Sequence, residues 1–178
     1  ARLVTKSKSM VTEEIGLNDA IEAAGMRVVE TDLGEYIVQL AGDRPSHIIA
    51  PVVHRTRGEV ADLFRRRLGV DAGEVADIES ITAVARRTLR REFLQADLGI
   101  TGANLLVADT GTIALVTNEG NGRFCTSVPR VHVTVAGIER IVPTFDDLGV
   151  LLRLLARSAT GQALTSYTTL VTGPRRTA

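Results

Sequence analysis

Ile113-Ala114-Leu115-Val116 runs straight into Thr117-Asn118-Glu119-Gly120-Asn121-Gly122-Arg123, and the reading of the fold turns on this stretch. An apolar, strand-like run that opens into a polar loop with paired glycines is a basic unit of α/β proteins. Such loops, at the ends of buried strands, are where those proteins hold anionic ligands. Gly120 and Gly122 permit positive φ and close approach, so backbone N–H groups can converge there. Glu119 and Arg123 place opposite charges in the same turn.

Outward from this stretch, apolar residues alternate between strand-like runs and helical spacing, the pattern of βα units. Leu3-Val4-Thr5 reads as a first strand, followed by a helix capped by Ser9 or Thr12. Glu13 and Glu14 suit its positive end, Ile15, Ile21 and Ala24 form its inner face, and Gly25 stops it. Met26 to Val29 and His47 to Ala50 read as strands. Val60, Leu63, Phe64 and Leu68 mark an amphipathic helix closed by Gly69, and Ile78, Ile81, Val84, Ala85, Leu89 and Phe93 mark a longer one. Leu98 to Ala108 and Thr112 to Val116 then flank Asp109-Thr110-Gly111 as a β-hairpin. Val131 to Ala136 is a buried strand. Thr144 and Asp147 make a capping-box-like start to a helix with Leu148, Leu151, Leu152 and Leu155 inward, and Tyr167 to Val171 is the last strand. The expectation is a single α/β domain over residues 1–178 with a hairpin inserted.

With 178 residues and 19.1 kDa, a substantial core forms without disulfides. Zero formal net charge gives polyanions no purchase, and aromatic residues at 3% provide few stacking platforms, so nucleic acid is not an expected partner. The lone Cys125 makes no internal disulfide and points to a reducing, cytoplasmic compartment. No run approaches the roughly 20 apolar residues of a membrane span. Ala1 is not a natural start, and the chain reads as a piece of something longer.

Five segments carry candidate chemistry. The Glu119–Arg123 loop lacks a third glycine where Cys125 stands, and no P-loop run exists, so neither standard nucleotide fingerprint applies. Its plain alternative is a turn. Lys6-Ser7-Lys8-Ser9 runs into a helix start and brings two cations and two hydroxyls, which suits a carboxylate or phosphate. Solvated lysines beside a capped helix are the alternative. Thr101-Gly102-Ala103-Asn104 and Thr110-Gly111-Thr112 are tight turns or ligand loops, and Arg157-Ser158-Ala159-Thr160-Gly161 is a polar loop after the leucine helix. His47, His54 and His132 lack metal-type spacing and read as structural, so no metal site is expected. No Gly-x-Ser-x-Gly elbow occurs. Arg65-Arg66-Arg67 and Arg86-Arg87-Arg90-Arg91 read as solvated helix faces, with a partner surface as the second reading.

Taken in order, several motifs resemble one family. They are Lys6 to Asn18, Glu30-Thr31-Asp32-Leu33-Gly34-Glu35, Pro45-Ser46-His47-Ile48, Asp97 to Asn104, Thr110-Gly111-Thr112, Thr117 to Arg123 and Arg157 to Gln162. Together they resemble the lactate-utilisation (LUD) domain family, and within it the iron–sulfur subunit of a bacterial L-lactate oxidation system. The resemblance implies a three-layer Rossmann-like fold akin to the sugar-phosphate isomerase and CoA-transferase superfamily. It implies a part in oxidising L-lactate to pyruvate, with sister subunits of the complex as partners. It also implies a preceding helical segment and a later cysteine-rich region with two four-iron clusters, neither of them in this chain, which is expected to carry no cofactor of its own. By analogy with that superfamily, the ligand lies where strand-end loops meet, and a loop glutamate, here Glu119, is a candidate nucleophile. The expected ligand set for a small carboxylate or other anionic ligand is Lys6, Ser7, Lys8, Ser9, Thr101, Asn104, Glu119, Gly120, Asn121, Gly122 and Arg123.

Overall fold

The computed structural model describes residues 1–43, 52, 54–117, 119–165 and 167–173. In chain order these form β1 (Leu3–Lys6), α1 (Met10–Glu14), α2 (Leu17–Ala23), β2 (Arg27–Glu30), α3 (Leu33–Ala41), α4 (Arg57–Leu68) and α5 (Ile78–Gln95). β3 (Leu98–Thr101), β4 (Leu105–Val107), β5 (Thr112–Val116), α6 (Asn121–Ser127), β6 (Val131–Thr134), β7 (Ile141–Val142), α7 (Phe145–Thr160) and β8 (Thr168–Thr172) complete the chain.

β1, β2, β3 and β6 make a parallel sheet in the order β2-β1-β3-β6. A parallel sheet has to be covered on both faces, because its crossovers place helices there. Strand alternation divides the work. Val4, Val28 and Ile100 point to one face and bury against Ile21 of α2. Leu3 and Val29 point to the other, where Tyr36 and Ile37 of α3, Phe64 of α4, Val84, Leu89 and Phe93 of α5 and Cys125 of α6 form the larger core. The result is helix, sheet and helix in three layers, as the family resemblance implied.

The expected hairpin is present but belongs to something bigger. β4 and β5 pair antiparallel, with Gly111 at φ 67° in the turn. β7 and β8 extend them to a second four-stranded sheet, β7-β4-β5-β8. α7 lies over it through Leu148, which meets Val107, Ala114 and Val142 in a separate small core. The run Leu98 to Ala108 is therefore not one strand. It breaks at Gly102–Asn104, where the chain leaves the first sheet for the second, and Asn104 fastens the break by accepting the Val116 N–H at 2.7 Å.

Other departures have local causes. The single helix expected between Ser9 and Gly25 is two, because Gly16 takes φ 63° between them, and this leaves Ile15 60% exposed instead of buried. α3 had no counterpart in the sequence reading. β6 is an edge strand, so Val131 and Val133 stand half open where a buried strand was expected. Ile78 begins α5 and Leu151 lies on an outer flank of α7, and both are exposed. Thr144 and Asp147 do form the capping box, with each backbone N–H taken by the other's side chain at 3.1 and 3.3 Å. The expected strand His47 to Ala50 lies outside the described residues.

Candidate functional site

β1 passes to β2 through α2 on one face of the sheet, whereas β3 passes onward to β6 through α6 on the other. The segments leaving the ends of β1 and β3 therefore diverge, and a crevice opens where the strand order reverses. A cleft of about 590 Å³ occupies this point. Ser7, Lys8 and Ser9 line it after β1, and Gly102, Ala103 and Asn104 line it after β3. Thr117, Asn121 and Gly122 close another side, and Arg140, Ala156, Thr160 and Tyr167 face them from the second sheet and α7. Of the residues expected to bind a ligand, six meet here: Ser7, Lys8, Ser9, Asn104, Asn121 and Gly122.

The polar loop after β5 is shorter than its sequence implied. Gly120 adopts φ 79° and caps α6, so Asn121, Gly122 and Arg123 form the first turn of a helix. This turns Asn121 inward, where it is buried. Gly122 lies so close to Thr117 that a Cβ would stand 3.1 Å from its methyl.

Asp32 ties the loops together, a role that sequence reasoning missed. One of its carboxylate oxygens accepts the Lys8 N–H at 2.7 Å and the Asn121 amide at 2.6 Å. Thr117 donates to the Asn121 carbonyl oxygen at 3.2 Å, which fixes the amide's orientation. Burial pushes the Asp32 carboxyl up from 3.8 to about 6, aided by the charges of Glu119 and Glu35 and opposed by the two hydrogen bonds. A carboxyl on a cleft wall that exchanges its proton near neutrality can act as a general acid or base.

This shift carries a stability signature. Between about pH 3.8 and 6 the folded chain retains a proton that the unfolded chain has released, so stability falls as pH rises through that window. The full effect amounts to about 2–3 kcal/mol at most. Asp32→Asn keeps an acceptor for both donors and removes the charge. In urea unfolding followed at pH 4 to 8, the variant is expected to lose this slope and to exceed the parent by about 1–2 kcal/mol above pH 7. A difference between the two proteins that does not vary with pH would refute the assignment.

The remaining expected residues lie elsewhere. Lys6 is fully buried behind the cleft, its Nζ 2.8 Å from Glu30 and 3.2 Å from the Thr12 hydroxyl. Thr101 is buried in β3, with its hydroxyl 2.9 Å from His132 Nε2. Glu119 is exposed and faces a different groove, and Gly120 shapes the turn without lining the cleft. Arg123 points outward to Thr169 at 3.4 Å. Arg157 to Thr160 are the last turn of α7, not a loop, and Gly161 caps it with φ 73°. Lys8 lies at the cleft with Glu35 2.6 Å from its Nζ. Arg140, which the sequence did not single out, pairs only loosely with the adjacent Glu139 at 3.2 Å, both more than half exposed. Exposed pairs of that kind hold a side chain weakly, so the guanidinium is available to the cleft.

Among the described residues, no group of three His, Cys, Asp or Glu could hold a metal ion, and no helix is long and apolar enough to cross a membrane. A four-iron cluster requires four thiolates. Cys125 is the single cysteine of the chain, and burial pushes its thiol up to about 11, so these residues do not fit such a cluster.

These features define an open-sheet α/β domain with a polar cleft at the reversal of strand order. The chain belongs to the LUD domain family, which matches residues 3–178. It is 54% identical to Lactate utilization protein B of Bacillus licheniformis over 97% of its own length and 36% of the relative's. It is 53% identical to Lactate utilization protein B of Bacillus subtilis over 97% of its length, again 36% of the relative. An uncharacterized electron transport protein of Escherichia coli strain K12 is 52% identical over 98% of the chain and 36% of that protein. The chain thus spans little more than a third of these relatives. No solved structure matches it.

Proposed function

We propose that this chain is the carboxylate-binding domain of a lactate-utilisation protein, serving L-lactate oxidation within a larger assembly. The observation that carries this reading is the convergence of Ser7, Lys8, Ser9, Asn121, Gly122 and Arg140 on one cleft at the strand-order reversal. Support for the pathway comes from the relatives, which are named for lactate utilization and electron transport. In this reading the four-iron clusters belong to parts of the protein beyond these residues.

In this reading Arg140 supplies the main charge for a small 2-hydroxy or 2-oxo carboxylate, because the Lys8 charge is shared with Glu35. The hydroxyls of Ser7 and Ser9 and the amide of Asn121 add neutral hydrogen bonds. Glu119 has no part in it, since that side chain faces away from the cleft. Ionised Asp32 opposes the bound anion, so binding tightens as pH falls through about 6.

Calorimetric titration of the chain with L-lactate and with pyruvate tests the reading. A charge-assisted hydrogen bond is worth about 1.5–3 kcal/mol, so Arg140→Ala is expected to weaken binding by about 10- to 100-fold. Saturable binding that Arg140→Ala leaves unchanged, or no saturable binding of either acid, would remove the proposal.

A further inference from the structure

A second concavity, of about 520 Å³, lies between α5 and α6. Its floor is apolar, built from Leu33, Ala85, Leu89 and Phe93, and Phe93 meets Phe124 ring to ring at 5.2 Å. Its rims are unusual for a surface facing water. On α5, Arg86, Arg90 and Leu94 follow one another at four-residue spacing, so they stand in a row along one side. On the other side, Phe124 of α6 and Val128, the residue that caps its C-terminal end, are likewise four residues apart. Leu94 is 66% exposed and Phe124 50%, so the apolar surface continues from the floor onto both rims. Neither Arg86 nor Arg90 has an acidic partner among the described residues, whereas the neighbouring Arg87 is held by Glu74 at 2.6 Å. Among the described residues, Glu119 is the single acidic group in the lining.

We propose that this groove docks an acidic amphipathic helix of another polypeptide. The trough has an apolar floor bounded by a helix-borne ridge on each side, which matches the cylinder of a third helix laying an apolar stripe into it. The two guanidiniums stand one helical turn apart and carry no internal counter-charge. They call for carboxylates at the same spacing on the incoming helix, where bidentate pairing fixes its register. A lone glutamate on the rim leaves the groove with an excess of positive charge. A second copy of this chain is a poor occupant for that reason, since it would bring two further arginines against them.

The probe is a synthetic helical peptide with leucines at i, i+4 and i+7 flanked by glutamates, together with a twin in which lysines replace the glutamates. By fluorescence anisotropy, the glutamate peptide is expected to bind the chain saturably and less tightly as salt is raised. Backbone amide shifts are expected at Ala85, Leu89, Phe93, Phe124 and Val128. The double variant Arg86→Glu/Arg90→Glu is expected to lose at least about tenfold in affinity and to gain affinity for the lysine twin, with its unfolding curve unchanged. Leu94→Ser, which leaves both charges in place, is expected to weaken binding as well. The proposal fails if the glutamate peptide does not bind, if the twin binds as well to the parent chain, or if the shifts fall elsewhere. It fails equally if sedimentation shows that the chain forms a dimer that Arg90→Glu dissociates, for then the occupant is a second copy.

Discussion

Lys6→Met is expected to lower the stability of the chain by about 3–5 kcal/mol, the cost of leaving a buried charge without its partner. Lys6 is wholly inaccessible and its ammonium lies 2.8 Å from Glu30, itself nearly as deeply buried. Among the described residues the Glu30 carboxylate has one other donor, the Asn18 amide at 2.7 Å, and its second oxygen has no hydrogen-bond partner. Methionine retains the length of the stem and removes only the charge, so the loss is electrostatic and not a cavity effect. Pairing Lys6→Met with Glu30→Gln tests this directly. The double variant is expected to recover a large share of the loss, because a neutral amide does not demand a counter-charge. Urea unfolding near neutral pH gives both numbers. A single-variant loss under about 1 kcal/mol would show that the carboxylate is hydrated and that the buried pair is not as described.

Gly99→Ala is the other severe case, expected to cost about 3 kcal/mol or more and to leave little soluble protein. Gly99 lies in β3 directly beneath α6. A Cβ built there would stand 1.9 Å from the Cys125 carbonyl oxygen and 2.8 Å from its carbon. Both are backbone atoms, so no rotamer change relieves the overlap and α6 has to lift from the sheet. Gly102→Ala provides the contrast, because its Cβ would meet the Ser9 hydroxyl at 2.7 Å, the end of a side chain that can turn away. Thermal unfolding of the pair is expected to show a much larger drop for Gly99→Ala. Equal drops would mean that the contact between helix and strand is not tight.

The alternation of strands and helices was legible because it rests on periodicity, which the buried stripes of α4, α5 and the parallel strands carry plainly. α6 was not. It is a seven-residue helix that opens with Asn and Gly, too short to display a period and rich in residues that disfavour helices. The break between α1 and α2 depends on one glycine adopting positive φ, which composition alone does not dictate. At the cleft, the serines and Lys8 stood out because polar groups cluster after an apolar run. Lys6 looked equivalent, yet strand alternation sends it toward Glu30, whose position depends on the pairing of β1 with β2. Asp32 carries no local signal of its role, because its importance comes from Asn121, a residue 89 positions away. Arg140 offered no local signal at all, and reaches the cleft only because β7 joins the second sheet.

The cleft is also a seam. One wall hangs from the parallel sheet and its cores, and the other from the small core under α7, which shares no buried residue with them. The two are joined by three connectors: the Gly102–Asn104 break, the passage from β5 into α6, and the passage from β6 to β7 that carries Arg140. A molecule gripped from both walls acts as a rivet between two separately packed bodies, and what it strengthens is their attachment rather than either interior. Occupancy would then slow hydrogen exchange most at the connectors and along β4 and β5, far more than in the already protected centre of the parallel sheet.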